Sequence, residues 1–146
     1  MRFVDTNILL YAVGAEERES EKQRVSLDLL ASTDLALSVQ VLQEFYSQAT
    51  RPSRPGALRH DEAVAFVHSL QRFPVQAITP GVMHAAFGIC ERFRLSYWDS
   101  AILAAARACG CDTVYSEDMS DGQDYGGVRV INPFAGLISP GHASPS

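Results

Sequence analysis

Four carboxylates carry the clearest chemical potential in the chain: Asp5, Glu44, Asp99 and Asp118. Each stands just beyond a strand-like run or in the first turns of the helix that follows one. Asp5 closes the apolar pair Phe3-Val4, and Glu44 falls one or two turns into the helical pattern after Leu35-Ala36-Leu37. Asp99 opens the pattern that starts at Ser96, and Ser116-Glu117-Asp118 follows Thr113-Val114-Tyr115 directly. Each has an ordinary structural explanation. Asp5 can cap a helix starting at Asn7, Ser96-x-x-Asp99 can be an acidic capping box, and Asp118 can be a turn residue. Glu44 resists such an explanation most, because it borders the stripe Val41, Leu42, Phe45. Gathered at one rim, carboxylates repel by on the order of 4 kcal/mol per pair at ~4 Å and an effective dielectric of ~20. Lys22 is the only lysine, so a divalent cation is the simplest compensation. An all-oxygen site selects Mg²⁺ or Mn²⁺ over zinc. One or two such ions make a bound water acidic enough to attack a phosphodiester near neutral pH.

The elements that must position these groups are legible as short apolar runs alternating with helical patterns. Strands are expected at Phe3-Val4, Leu35 to Leu37, Val75 to Ile78, Thr113 to Tyr115 and Val128 to Ile131. Helices are expected from Ile8, over Glu16 to Leu30, over Val39 to Thr50 behind the N-cap Ser38, and around Ala63, Phe66, Val67 and Leu70. Pro80 suits the first turn of a helix running to about Phe93. The strongest pattern runs from Ser96 to Cys109, with Trp98, Ala101, Ile102, Ala105, Ala106 and Cys109 on one face. Arg51-Pro52-Ser53-Arg54-Pro55-Gly56 is the clearest loop. Alternating strands and helices predict a single α/β domain over 1–134 with a mainly parallel central sheet flanked by helices. Residues 135–146, rich in Pro, Gly and Ser, read as a flexible C-terminal tail. In such sheets the sites lie beyond the carboxyl ends of the strands, which is where the four acids fall.

Composition bounds the class. A chain of 146 residues, 47% hydrophobic, suits one domain with its own core. A net charge of −5 argues against a protein that mainly grips phosphate backbones, though acids neutralised by a bound cation leave room for a nucleic-acid enzyme. Cys90, Cys109 and Cys111 form neither a disulfide framework nor a zinc pattern, so a reducing compartment is expected. Cys109 is expected to be a buried cysteine at a helix end, with Gly110 as the C-terminal cap. No signal peptide and no apolar run of membrane-spanning length stand out, and the expected location is cytoplasmic with no membrane role. His60, His68, His84 and His142 fall in none of these groupings, and no serine makes a nucleophilic triad.

The motifs resemble a known family. Met1 to Ala12 (MRFVDTNILLYA) is similar to the opening of PIN-domain nucleases, with their strand-then-DTN signature. Ser38 to Phe45 (SVQVLQEF) resembles the second motif, Tyr97 to Ile102 (YWDSAI) the third. Ser116-Glu117-Asp118-Met119 with Asp121-Gly122, and later Asn132-Pro133-Phe134, is similar to the fourth region of VapC-type toxins. The resemblance spans Met1 to about Phe134 and implies a divalent-metal-dependent endoribonuclease, the toxin of a toxin–antitoxin pair. It places Asp5, Glu44 and Asp99 at the three core acidic positions, both catalytic and metal-binding, and Asp118 at the fourth. Thr6, Asn7 and Ser116 would support them, with Asp121 a further acidic position. It also implies an RNA substrate of tRNA or rRNA type, a small antitoxin partner and a homodimer. Arg51, Arg54 and Arg59, around the proline loop, are possible RNA contacts. Phospho-acceptor receivers and aspartyl-phosphate phosphatases share the architecture, but both need a lysine after a late strand, and none stands there. The remaining alternative is a non-catalytic PIN-like scaffold that binds RNA or protein, whose mark would be a missing core carboxylate.

Overall fold

The computed structural model describes residues 1–137. Its strands are β1 (Arg2–Val4), β2 (Leu35–Ser38), β3 (Val75–Gln76), β4 (Thr113–Tyr115) and β5 (Arg129–Ile131). The helices are α1 (Thr6–Ala12), α2 (Ser20–Leu30), α3 (Val39–Ala49), α4 (His60–Leu70), α5 (Pro80–Phe93) and α6 (Tyr97–Ala108). The strands form one five-stranded sheet in the order β3-β2-β1-β4-β5, every neighbour parallel. This is the α/β architecture the sequence predicts. Phe3 lies opposite Ala36 on one side and Val114 on the other, so the first strand of the chain is the middle of the sheet.

Burial on both faces explains why these runs are nearly all apolar. Phe3, Val4, Leu35, Ala36, Leu37, Val114 and Val130 are fully buried, as expected when helices cover both sides of a parallel sheet. α6 shows the same logic at close range. Every residue from Ser100 to Ala106 is buried, and its alanines let the helix backbone approach its neighbours. It ends in a Schellman motif: Gly110, with φ +78°, donates to the Arg107 carbonyl and Cys111 to that of Ala106. Cys111 is the buried thiol of this pair, whereas Cys109, expected inside, is half-buried.

Several boundaries differ from expectation for local reasons. α1 starts two residues early, at Thr6, because Asp5 caps it. The helix expected from Glu16 opens instead as a 3-10 turn at Glu17–Glu19 before α2 begins. β3 stops at Gln76 rather than Ile78, because its partner β2 gives way to α3 after Ser38 and no ladder remains to join. Val128 precedes β5; its carbonyl closes a turn on Tyr125, over Gly126 and Gly127 in positive φ. Trp98 does not join the buried face of α6 but is 65% exposed. Ala135 and Leu137 are held by hydrogen bonds to the Asn132 and Phe134 carbonyls, and Leu137 packs on the core. The rest of the tail assigned to 135–146, from residue 138, lies outside the described residues. Among the described residues no helix is long and apolar enough to cross a membrane.

Candidate active site

β1 ends where α1 begins, and Asp5 occupies the junction. Its extended backbone (φ −81°, ψ 166°) turns the carboxylate toward its own helix, where it accepts from the Thr6 N–H at 2.7 Å. Its other oxygen accepts from the Ser116 hydroxyl at 2.7 Å, across from the end of β4. Asp5 is 5% exposed and Ser116 fully buried. The Asp5 carboxyl is pushed up to about 6: burial raises it most, the charges of Asp118 and Glu44 add to that, and Ser116 and Thr6 pull against it. Asp5 therefore both caps a helix and faces the other acids. The two roles do not exclude each other.

Glu44 reaches the same place from α3. Ser38 caps that helix by accepting from Val41 N–H, and Val41, Leu42 and Phe45 bury its inner face, which leaves Glu44 half-buried at the border. Its carboxylate accepts from the Thr6 hydroxyl at 2.8 Å and from Gln40 Nε2 at 3.0 Å. Gln40 also donates to the Trp98 carbonyl at 3.2 Å, tying α3 to the start of α6. There Ser96 caps α6 by accepting from Asp99 N–H at 3.1 Å. The Asp99 carboxyl lies above the ordinary carboxylate range: burial raises it, the Ser96 hydroxyl lowers it, and Asp118 and Glu44 raise it again.

The β4 end supplies the fourth acid. Asp118 donates its N–H to Ser116 Oγ at 3.1 Å and accepts from Asn7 Nδ2 at 3.0 Å. Asn7 Oδ1 is buried and has no hydrogen-bond partner among the described residues. Thr6, Asn7 and Ser116, expected as supports, thus each touch one of the acids. All four acids line one cavity of about 320 Å³, open at the carboxyl edge of the sheet.

Other expected residues fall elsewhere. Arg54 lines the cavity, its Nη2 donating to the Leu10 carbonyl at 3.3 Å. Arg51 is exposed on the loop, and Arg59 is paired with Asp61 and Glu62 at the start of α4. Asp121 accepts from Asn132 N–H at 2.8 Å, stapling a turn outside the cavity lining. Glu19, Gln48, Trp98 and Glu117 line the cavity without having been expected there. Gln40 carried a usable signal, since it stands one helical turn before Glu44. Glu117 carried one too, standing beside Asp118 after the Tyr115 strand, whereas Glu19 carried none, because only the fold brings it near.

The donor set fits a hard divalent cation: carboxylate oxygens, an orphaned amide oxygen, and two acids whose ionisation their neighbours oppose. Among the described residues no three acidic, histidine or cysteine side chains form a preassembled cage. Mg²⁺ does not need one, since it keeps several waters and binds through one or two carboxylates plus substrate phosphate.

A PIN-domain family model matches residues 2–120. Among solved structures, the chain is similar to the sarcin-ricin loop cleaving toxin VapC20 of Mycobacterium tuberculosis, at 21% identity and TM-score 0.62, covering 81% of this chain and 90% of that one. It is also similar to a toxin–antitoxin complex from Klebsiella pneumoniae (17% identity, TM-score 0.63, 91% and 98% covered). FitAcB from Neisseria gonorrhoeae is a third such structure (20% identity, TM-score 0.64, 92% and 99% covered). At these identities the likeness establishes a shared fold. No curated protein sequence matches the chain. With the family model spanning β1 to β4 and every residue that lines the acidic cavity, the chain belongs to the PIN-domain family.

Proposed function

We propose that this protein is a divalent-metal-dependent endoribonuclease, the toxin of a toxin–antitoxin pair, acting in the cytoplasm as a homodimer. The observation that carries the nuclease reading is the meeting of Asp5, Glu44, Asp99 and Asp118 in one cavity at the carboxyl edge of the sheet. The toxin reading is supported by structural neighbours described as a cleaving toxin and as toxin–antitoxin complexes. By that likeness the partner is a small antitoxin and the substrate a structured tRNA or rRNA.

When bound, Mg²⁺ or Mn²⁺ supplies Lewis-acid stabilisation of the phosphoryl oxygens and a more acidic water. The protein's own residues do the rest. Ser116 and the Thr6 N–H hold the two oxygens of Asp5 in fixed directions, and Asn7 orients Asp118. Thr6 and Gln40 fix Glu44. The cavity hydroxyls are committed, Thr6 to Glu44 and Tyr11 to Glu117, so displacement by water rather than by a covalent nucleophile follows. Arg54 is the basic side chain placed to meet a phosphate.

The pure protein is to be incubated with total cellular RNA in EDTA, Mg²⁺ or Mn²⁺, and the cleavage ends mapped. Discrete new ends are expected with either metal and none in EDTA. Cleavage undiminished in EDTA would remove the metal mechanism. Binding without cleavage in every condition would leave a non-catalytic scaffold.

A further inference from the structure

The loop after β4 carries two neighbouring acids, and the structure treats them differently. Asp118 is exposed and accepts a single amide bond from Asn7. Glu117 also lines the cavity, yet both its oxygens are taken. Oε1 accepts from the Tyr11 hydroxyl at 2.5 Å and Oε2 from Lys22 Nζ at 2.6 Å. Lys22 donates as well to the Tyr11 hydroxyl at 3.2 Å, and its ammonium lies 4.8 Å from the Tyr11 ring centroid and 5.6 Å from that of Phe134. Tyr11 and Phe134 pack edge to face at 5.0 Å. The chain's only lysine is thus spent, from α2, on one carboxylate, inside an aromatic seat that limits its freedom.

Resting on the metal-site reading above, we infer that Lys22 is a positioning residue: by holding Glu117 against Tyr11 it keeps an extra carboxylate away from the bound cation and leaves Asp118 as the ligand this loop contributes. Without Lys22, Glu117 loses its counter-charge and keeps only the Tyr11 hydroxyl, so that a cation one residue away at Asp118 can draw it into the cavity. A cation then binds more tightly but in the wrong place for the reaction, since ion position fixes the line of attack.

Trp98, the only tryptophan, stands exposed at the cavity rim beside Asp99 and reports binding independently of catalysis. Its fluorescence is titrated with Mn²⁺, a paramagnetic quencher, in wild type, Lys22→Met, Glu117→Gln and the double variant. Lys22→Met is expected to move the midpoint to lower Mn²⁺ by about threefold or more. Glu117→Gln, which leaves the Lys22 charge uncompensated, is expected to raise it by no more than about threefold, and the double variant to return it to the wild-type value. At saturating Mn²⁺, RNA cleavage by Lys22→Met is expected to fall in kcat by about tenfold with little change in KM. Loss of Mn²⁺ binding in Glu117→Gln beyond that threefold would make Glu117 a ligand and overturn the inference. So would an unmoved or raised midpoint in Lys22→Met, or a raised KM with kcat intact, which would assign Lys22 to RNA. Should Lys22→Met not fold, Glu117→Gln decides alone. Absent quenching in wild type overturns inference and metal reading together, whereas Mn²⁺ midpoints that shift as stated without RNA cleavage remove only the nuclease reading.

Discussion

Arg2 at the start of β1 and Asp5 just beyond its end are three residues apart and electrostatically opposite. At its start, Arg2 forms a fork on Asp34, at 2.8 and 2.5 Å, and donates to the Tyr115 hydroxyl at 3.0 Å. The Asp34 and Tyr115 hydrogen bonds raise the guanidinium above its already high value, and Arg2 holds the Asp34 carboxyl below the ordinary carboxylate range. Beyond the other end, Asp5 is buried beside Glu44 and Asp118, and its pKa moves the opposite way. One end satisfies an isolated protein. The other leaves its acids opposing one another's ionisation, which the proposed cation would relieve. Polar groups that stabilise the fold are matched within it, whereas those that act on something else are left mismatched.

The largest effect expected from breaking that contrast is on cleavage. Asp5→Asn or Asp99→Asn should lower kcat/KM by about a hundredfold or more while leaving the fold intact, since Asn caps helices about as well as Asp. The paired measurement is RNA cleavage in Mn²⁺ and thermal melting in EDTA. Metal-free variants should melt no lower than wild type, because like-charge contact is relieved. Cleavage retained in both would end the site assignment.

Next in size is an inverted pH dependence of stability. The Asp5 carboxyl goes from 3.8 in the unfolded chain to about 6 in the fold, so the folded state binds the proton more tightly. Its stabilising contribution is complete below about pH 4 and is lost as pH rises through about 6. In EDTA, wild type should lose on the order of 3 kcal/mol relative to Asp5→Asn between pH 4 and 7, as the difference between those two values implies. Asp34 should behave in the opposite sense, its contribution lost on acidification. Denaturant melts across this range check both. A constant gap between wild type and Asp5→Asn would show that burial does not oppose ionisation of Asp5.

The smallest effect is expected at the matched end. Asp34 is half exposed, and such surface pairs contribute little. Arg2→Ala should lower the melting temperature by about 3 °C or less and leave the rate of RNA cleavage unchanged. A cleavage defect there would mean that the pairing at the start of β1 reaches its far end.

How far the sequence could be read follows from how locally each feature is encoded. β1 with Asp5 and α6 with Asp99 were legible because strand run, cap and acid are contiguous. Glu44 stood out through its place beside Val41, Leu42 and Phe45. The end of β3 was not legible, because it depends on where β2 stops 38 residues earlier in the register Leu37 to Val75 and Ser38 to Gln76. Grouping Arg51, Arg54 and Arg59 by proximity in sequence also had limits: Arg54 turns to the cavity, while Arg59 pairs at the start of α4. Trp98 fits the helical stripe by spacing, yet at the first turn that direction leads into the open rim. Lys22 and Glu117 are 95 positions apart, beyond any local pattern.

The central place of β1 also bears on the chain's synthesis. Asp5 leaves the ribosome well before Ser116, and β1 cannot gain its second neighbour until β4 follows, Phe3 waiting for Val114. Ser116 and Asp118, which fix the geometry around Asp5, arrive later still. Pairing over such separations is slow and late. A nascent chain therefore carries Asp5 without the partners that fix its carboxylate until Ser116 has emerged, and the four acids meet only once nearly the whole described fold is made.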